Sequence, residues 1–241
     1  MQFIDSHLHL QDYKTNNAPQ IIADLRAKGF VKIVCASSAP SGWEQVAALA
    51  ARYPDMVIPA FGLHPWYIKD APENWPDKIR GYLQKFSNAW VGECGLDRLK
   101  APAEEGQAEA FAVQIELAKE FNRPLNIHVL KADDWLRQFW QAMPPRFMLH
   151  SFGGSIEFLG EALKHGAFIS LSASVLKRKN SAEIIRRVPL NRLLLESDAP
   201  YLSDYGDIPA LAAEIATIKN TGLAEVVNAV YHNFEGFCNE K

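Results

Sequence analysis

Residues 4–10 read Ile-Asp-Ser-His-Leu-His-Leu, a short apolar run that ends in two histidines, His7 and His9. Alternate residues of a strand project from one face, so both imidazoles leave the chain on the same side. An HxH pair alone is more often a polar strand end hydrogen-bonded to solvent than a metal pair. The pattern recurs, however. WVGEC brings Glu93, PLNIH brings His128, RFMLH brings His150 and LLLESD brings Asp198 to the end of a similar run. Six imidazoles and carboxylates at strand ends along the whole chain imply strands that converge on one point. A (β/α) barrel is the common architecture that does this.

Working outward, strand-like runs at 2–6, 31–36, 56–61, 89–93, 124–128, 146–150, 167–171 and 192–196 alternate with helical stretches at 41–52, 104–121, 155–164 and 181–187. Within QAEAFAVQIELAKEF, Phe111, Ile115, Ala118 and Phe121 recur at helical spacing. Such alternation predicts parallel strands with crossover helices, and eight of them favour a closed TIM-like (β/α)8 barrel over an open doubly wound sheet. Helices at 208–219 and 223–237 are expected on the barrel's outside. No GxGxxG follows the first strand and no GxxxxGK[ST] occurs, which removes support for dinucleotide and P-loop sites. No repeat or linker divides residues 1–241, so a single domain is expected.

Composition fits this reading. With 241 residues, 48% of them hydrophobic, the chain can bury a large core. A net charge of −3 argues against a generally basic protein that coats nucleic acid, but not against an enzyme that neutralises phosphates locally. The three cysteines lack CxxC spacing, so neither a disulfide framework nor a thiolate zinc site is expected, and the usage suits a reducing cytosol. No signal-like or membrane-spanning apolar run is visible, which predicts a cytoplasmic protein without a membrane association.

Mixed nitrogen and oxygen ligands suit Zn²⁺, Mn²⁺ or similar ions, whereas Mg²⁺ prefers oxygen alone. Each ligand has an ordinary alternative: a core histidine for His128 or His150, a helix cap for Glu93, a turn before Pro200 for Asp198. All six alternatives would have to hold at positions that one topology brings together. With six ligands, Glu93 is placed to bridge two cations about 3.5–4 Å apart, a spacing used for phosphoester hydrolysis.

The chain resembles the TatD-like family of metal-dependent deoxyribonucleases and hydrolases from Ile4 to about Phe237. The resemblance rests on IDSHLHL, FGLHP, VGECGLD, QIELAKEFNRPLNIH, LHSFGGS and LLLESDAPYL, with NAVYHNFEGF similar to the family's closing helix. It implies a TIM-like barrel, two divalent cations (Mg, Mn or Zn) and hydrolysis of phosphodiesters, notably removal of nucleotides from DNA. Carried over by position, His7, His9, Glu93 and Asp198 would hold one cation, and Glu93, His128 and His150 the other. Asp198 would accept the proton of the attacking water, and His64 would lie near the scissile phosphate. The implied substrate is single-stranded DNA or an oligonucleotide, cleaved from its 3′ end. No obligate protein partner is evident.

The departures from the family pattern fall where substrate would be gripped. Leu130 stands where an Arg is common two residues after His128, and Lys131 offers only a point charge one residue on. Ser197 replaces a Thr, Arg98 stands where an aromatic is frequent, and the loop after Tyr201 is short and acidic at Asp204 and Asp207. Lys177, with Arg178 and Lys179, is a candidate phosphate clamp that aligns with a family lysine; the alternative is a solvated helix start. Trp66 is a candidate for stacking on a base, or for packing under its loop. Trp135 and Trp140 read as packing residues and Cys94 as an inert buried thiol. The rival functions are a same-fold amidohydrolase on C–N, ester or lactone bonds, and a metal-stabilised interaction module with decayed catalysis. Glu93 argues against a carboxylated-lysine bridge, and a missing Asp-x-His argues against a histidinol-phosphatase type of site.

Overall fold

The computed structural model describes residues 1–13, 17–100 and 104–239. Its elements run β1 (Phe3–Leu8), α1 (Ala18–Ala27), β2 (Phe30–Ser37), α2 (Trp43–Arg52), β3 (Val57–Phe61), α3 (Trp75–Lys85), β4 (Trp90–Asp97), α4 (Glu104–Glu120) and β5 (Leu125–Leu130). They continue through α5 (Asp133–Arg137), β6 (Phe147–Leu149), α6 (Ile156–Lys164), β7 (Phe168–Leu171), α7 (Ser181–Arg187), β8 (Leu193–Leu195), α8 (Ile208–Lys219) and α9 (Leu223–Asn239). The eight strands form one sheet in sequential order, all neighbours parallel. This is the expected TIM-like barrel.

The sheet comes round on itself at the seam between β8 and β1. There Ser6 Oγ donates to Leu195 O at 3.0 Å, and the chain just beyond β8 pairs with β1 through Asp198 N–His7 O at 2.9 Å and His9 N–Ala199 O at 2.8 Å. Two ligand-bearing segments are thus fastened directly to each other.

Strand periodicity sorts the core into two layers. Val34 and Ala36 of β2 and Ile58 and Ala60 of β3 belong to an inner cluster with Ile4, Trp90, Met148 and Leu194. Their neighbours Ile33, Cys35, Val57 and Phe61 pack in the outer cluster with the helices. Cys94 lies in that outer cluster, fully buried, and burial raises its thiol well above the ordinary value. The inert role expected of it is consistent with this setting.

The last helix departs from expectation. Residues 223–237 were expected on the barrel's outside, yet only the first half of α9 packs there, through Val226, Val227 and Val230. Its second half turns Phe234 and Phe237 into the inner cluster. Phe237 lies 5.0 Å from Trp90 and 5.0 Å from Phe168, residues that begin β4 and β7. Arg146, just before β6, donates to the carbonyls of Phe237 and Cys238. The helix closes the N-terminal mouth because Trp90 and Phe168 leave apolar surface there, which the rings of Phe234 and Phe237 cover. The opposite, C-terminal mouth is left for the site.

Candidate metal centre and substrate cavity

The β4 strand is longer than its sequence pattern suggested. It continues to Asp97, so Glu93 lies mid-strand, and β5 likewise runs past His128 to Leu130. Glu93 still reaches the centre because the β4–β5 register shifts between Val91 and Cys94. A bulge of this kind re-aims one side chain without ending the strand. Gly92 and Gly95 flank it with φ of 130° and 140°, and a Cβ on Gly95 would meet His128 O at 2.0 Å. The glycines of VGECG therefore let β5 approach closely enough to place His128 beside Glu93.

All six expected ligands meet at this mouth. His7 Nε2 and His9 Nε2 are 3.0 Å apart, and His9 Nε2 is 3.2 Å from Asp198 Oδ1. Glu93 Oε2 faces this pair, 3.7 Å from His7 and 3.5 Å from His9. Its other oxygen, Oε1, lies 2.9 Å from His150 Nε2, 3.3 Å from His128 Nδ1 and 3.4 Å from His64 Nε2. One carboxylate thus offers one oxygen to each of two ligand groups.

Hydrogen bonds fix which ring nitrogen is free. His9 Nδ1 donates to Ala36 O at 2.9 Å, and His150 Nδ1 faces Glu196 Oε1 at 3.3 Å, so each ring, when neutral, presents an unprotonated Nε2 inward. His7 Nδ1 is 2.8 Å from Asn126 Nδ2, while Asn126 Oδ1 has no partner. Exchanging the two amide atoms pairs Oδ1 with an Nδ1–H and leaves His7 Nε2 free as well. His64 has the reverse arrangement: its Nδ1 accepts the backbone N–H of Trp66 at 3.2 Å. A neutral His64 therefore carries its proton on Nε2, aimed into the site as a donor rather than a ligand.

The electrostatics fit a cation. Asp198 Oδ1 is buried without a hydrogen-bond partner, and in the neutral rings the Nε2 atoms of His7 and His9 face each other at 3.0 Å as two acceptors with no donor between them. Burial pushes His7 and His64 down to about 3, the His150 charge adding to the effect on His7. For His9, His128 and His150 burial also opposes charge, but the facing carboxylates outweigh it and raise all three above 6.5. Against the same burial, the imidazoles hold Glu93 and Asp198 below their ordinary values. Protons on the imidazoles balance the buried carboxylates, and a divalent cation supplies that balance while releasing them. The nitrogen and oxygen donors present suit such an ion.

Several contributors lie within the motifs IDSHLHL and LLLESDAPYL but are not among the expected site residues. Asp5 accepts from His7 N at 3.1 Å, Ser197 N at 3.0 Å and Ser197 Oγ at 2.5 Å, which ties the turn before Asp198 to β1. Ser197 keeps the hydroxyl that a Thr would supply there. Asp198 itself sits at φ 51°, a left-handed conformation that Asp tolerates better than most residues and that these bonds hold in place. Glu196 accepts the Ser151 N–H at 2.6 Å beside its contact with His150. A ligand search by residue type at strand ends finds Glu196 no differently from any buried acid; only the fold shows which imidazole it faces.

Beyond these six side chains lies a cavity of about 520 Å³ whose wall includes Trp66, Tyr67, Val129, Leu130, Tyr201 and Leu202. Trp66 is 39% exposed there, with its Nε1–H donated to Asp97 Oδ2 at 2.5 Å. Leu130 lines the wall at the position where the family resemblance implies an Arg. The basic run after β7 is not gathered into one clamp. Arg178 turns inward to the carbonyls of Phe152 and Gly154, while Lys177 and Lys179 are exposed and do not line the cavity. Asp204 and Asp207 are used locally, as the reciprocal cap of a 3-10 turn at Tyr205–Asp207. Trp140 packs on His165 at 4.8 Å, and Trp135 lies under the Arg98 guanidinium at 4.4 Å, both in packing roles.

A sequence profile of the TatD related DNases matches residues 4–239. This chain belongs to the TatD related DNase family. The 3′-5′ ssDNA/RNA exonuclease TatD of Dickeya dadantii (strain 3937) is 30% identical, the match covering 76% of this chain and 72% of that protein. An uncharacterised metal-dependent hydrolase of Methanocaldococcus jannaschii is 25% identical over 97% of this chain and 95% of its own. The crystal structure of a TatD homologue from Escherichia coli K12 superimposes with a TM-score of 0.88 at 23% identity, covering 99% of this chain and 98% of the other. That structure shares the fold. Among the described residues, no helix is long and apolar enough to cross a membrane.

Proposed function

We propose that this TatD family member is a two-cation phosphodiesterase that removes nucleotides from the 3′ end of single-stranded DNA or oligonucleotides. The observation that carries the reading is the division of Glu93, with Oε2 toward His7 and His9 and Oε1 toward His128 and His150. His7, His9, Asp198 and Glu93 would hold one cation, and Glu93, His128 and His150 the other. When bound, the two cations neutralise phosphoryl oxygens and make water acidic enough to attack near neutral pH.

The protein's own groups divide the remaining work. Asp198, unpartnered at Oδ1 and held anionic by the imidazoles around it, accepts the proton of the attacking water. His64, neutral and protonated on Nε2, donates to a phosphoryl oxygen as charge builds there. The apolar wall excludes bulk water, and the exposed Trp66 presents an aromatic surface to a base. The names of the relatives support nucleic acid as the substrate class. The free cysteines, two buried and one half-buried, support a reducing cytosol as the location.

The test is turnover of labelled single-stranded DNA and of bis(4-nitrophenyl) phosphate with Mg²⁺, Mn²⁺ or Zn²⁺, with Asp198→Asn and Glu93→Gln beside the wild type. Metal-dependent cleavage that both substitutions abolish supports the reading. Equal activity in all three proteins removes it.

A further inference from the structure

We propose that Lys100 is the residue that grips the phosphate next to the scissile one, in place of an Arg at the position of Leu130. This rests on the phosphodiesterase reading and names its missing substrate contact. Among the described residues, Lys100 is the one Lys or Arg side chain that lines the cavity. The other nearby cations are committed elsewhere or point away. Arg98 pairs with Asp134 at 2.6 Å and covers Trp135, Arg178 is bonded to backbone carbonyls, and Lys131 is exposed outside the cavity wall.

Lys100 is held in place rather than free to wander. Its backbone N–H, with that of Leu99, donates to Asp97 Oδ1 at 3.0 and 2.7 Å. Its Nζ lies 4.8 Å from the centre of the Trp66 ring, and Trp66 is pinned through Nε1 to the other oxygen of the same Asp97. That oxygen also stands 3.5 Å from His128 Nε2. Asp97 therefore binds a mouth cation, an aromatic face and an imidazole of the metal centre into one rigid unit. A cation over an aromatic face keeps its charge and its donors for an anion on the open side. The phosphate beside the scissile one belongs to the same strand whose end enters the cavity, and an apolar wall with one cation provides for one such contact.

The measurement is equilibrium binding of a short, labelled, all-phosphorothioate oligothymidylate, which keeps its charges and resists hydrolysis, to the Mn²⁺-loaded protein across a salt series. Lys100→Ala should weaken binding about tenfold and flatten the slope of log affinity against log salt by about 0.7, the amount expected for one lost phosphate contact on a single strand. Lys100→Arg should restore both. Lys164→Ala, which removes the same charge at the far end of α6, should keep the wild-type slope. A Lys100→Ala protein with wild-type affinity and slope overturns the proposal. So does an equal loss in the Lys164 variant, which would make the effect one of net charge. If the wild type cleaves bis(4-nitrophenyl) phosphate but does not bind the oligonucleotide, Lys100 loses its role while the hydrolase reading stands.

Discussion

The Nδ1 of His150 faces Glu196 Oε1 at 3.3 Å, on the side of the ring away from Glu93. A carboxylate behind a ligating imidazole fixes its tautomer and raises its basicity. Glu196→Gln should therefore lower metal affinity by about ten- to hundredfold without altering the fold. Competition with a chromophoric chelator measures it; an unchanged affinity would leave Glu196 as a mere anchor for Ser151.

The tautomer of His64 separates it from the four histidines proposed as ligands, His7, His9, His128 and His150. His64→Gln should keep the full metal content while kcat falls by about 10²–10³, as when a single donor to a developing oxyanion is lost. Elemental analysis and steady-state kinetics on the same preparation decide the matter. Loss of metal in step with activity would make His64 a ligand.

Stability should depend on pH in opposite ways with and without cations. In the metal-free protein His9, His128 and His150 have folded-state pKa values above the unfolded 6.5. Their stabilisation is complete below pH 6.5 and lost as pH rises through the raised values. Asp5, which burial raises to about 8, acts in the same direction up to that pH. His7 and His64, lowered to about 3, have gained their full contribution by 6.5 and add no slope above it. Tm of the protein in EDTA should fall as pH rises above 6.5, whereas cation binding strengthens as protons leave, so the loaded protein's Tm should rise. Parallel profiles in a thermal-shift assay would contradict this.

The plug at the barrel's lower mouth should matter to stability and little to chemistry. Phe237→Ala removes a buried ring packed on Trp90 and Phe168 and should cost about 3–5 kcal/mol in urea unfolding. Below the unfolding transition its kcat should stay near wild type. A cost under about 1 kcal/mol would mean that the inner cluster closes without α9.

The strands and the side chains that gather at the mouth were legible in the sequence because a buried strand has few ways to be apolar and then end in a His or Asp. His7, His9, His150 and Asp198 illustrate this. Glu93 and His128 were found for the same reason, although their strands run on. The register shift that aims Glu93 depends on how β4 pairs with β5, which no local pattern reports. The swing of Phe234 and Phe237 into the barrel was hidden because an amphipathic helix looks alike against a wall or across a mouth. Lys100 escaped notice for a related reason. A lysine in a loop is unremarkable until Trp66 and Asp97, more distant in sequence or facing elsewhere, are seen to fix it.

The bridging role of Glu93 is the central claim, and the electron paramagnetic resonance of the Mn²⁺-loaded protein tests it most directly. Two Mn²⁺ per chain with an exchange-coupled spectrum is the predicted result, and Glu93→Gln should abolish the coupling. One Mn²⁺ per chain, or two that are magnetically independent in the wild type, would contradict it.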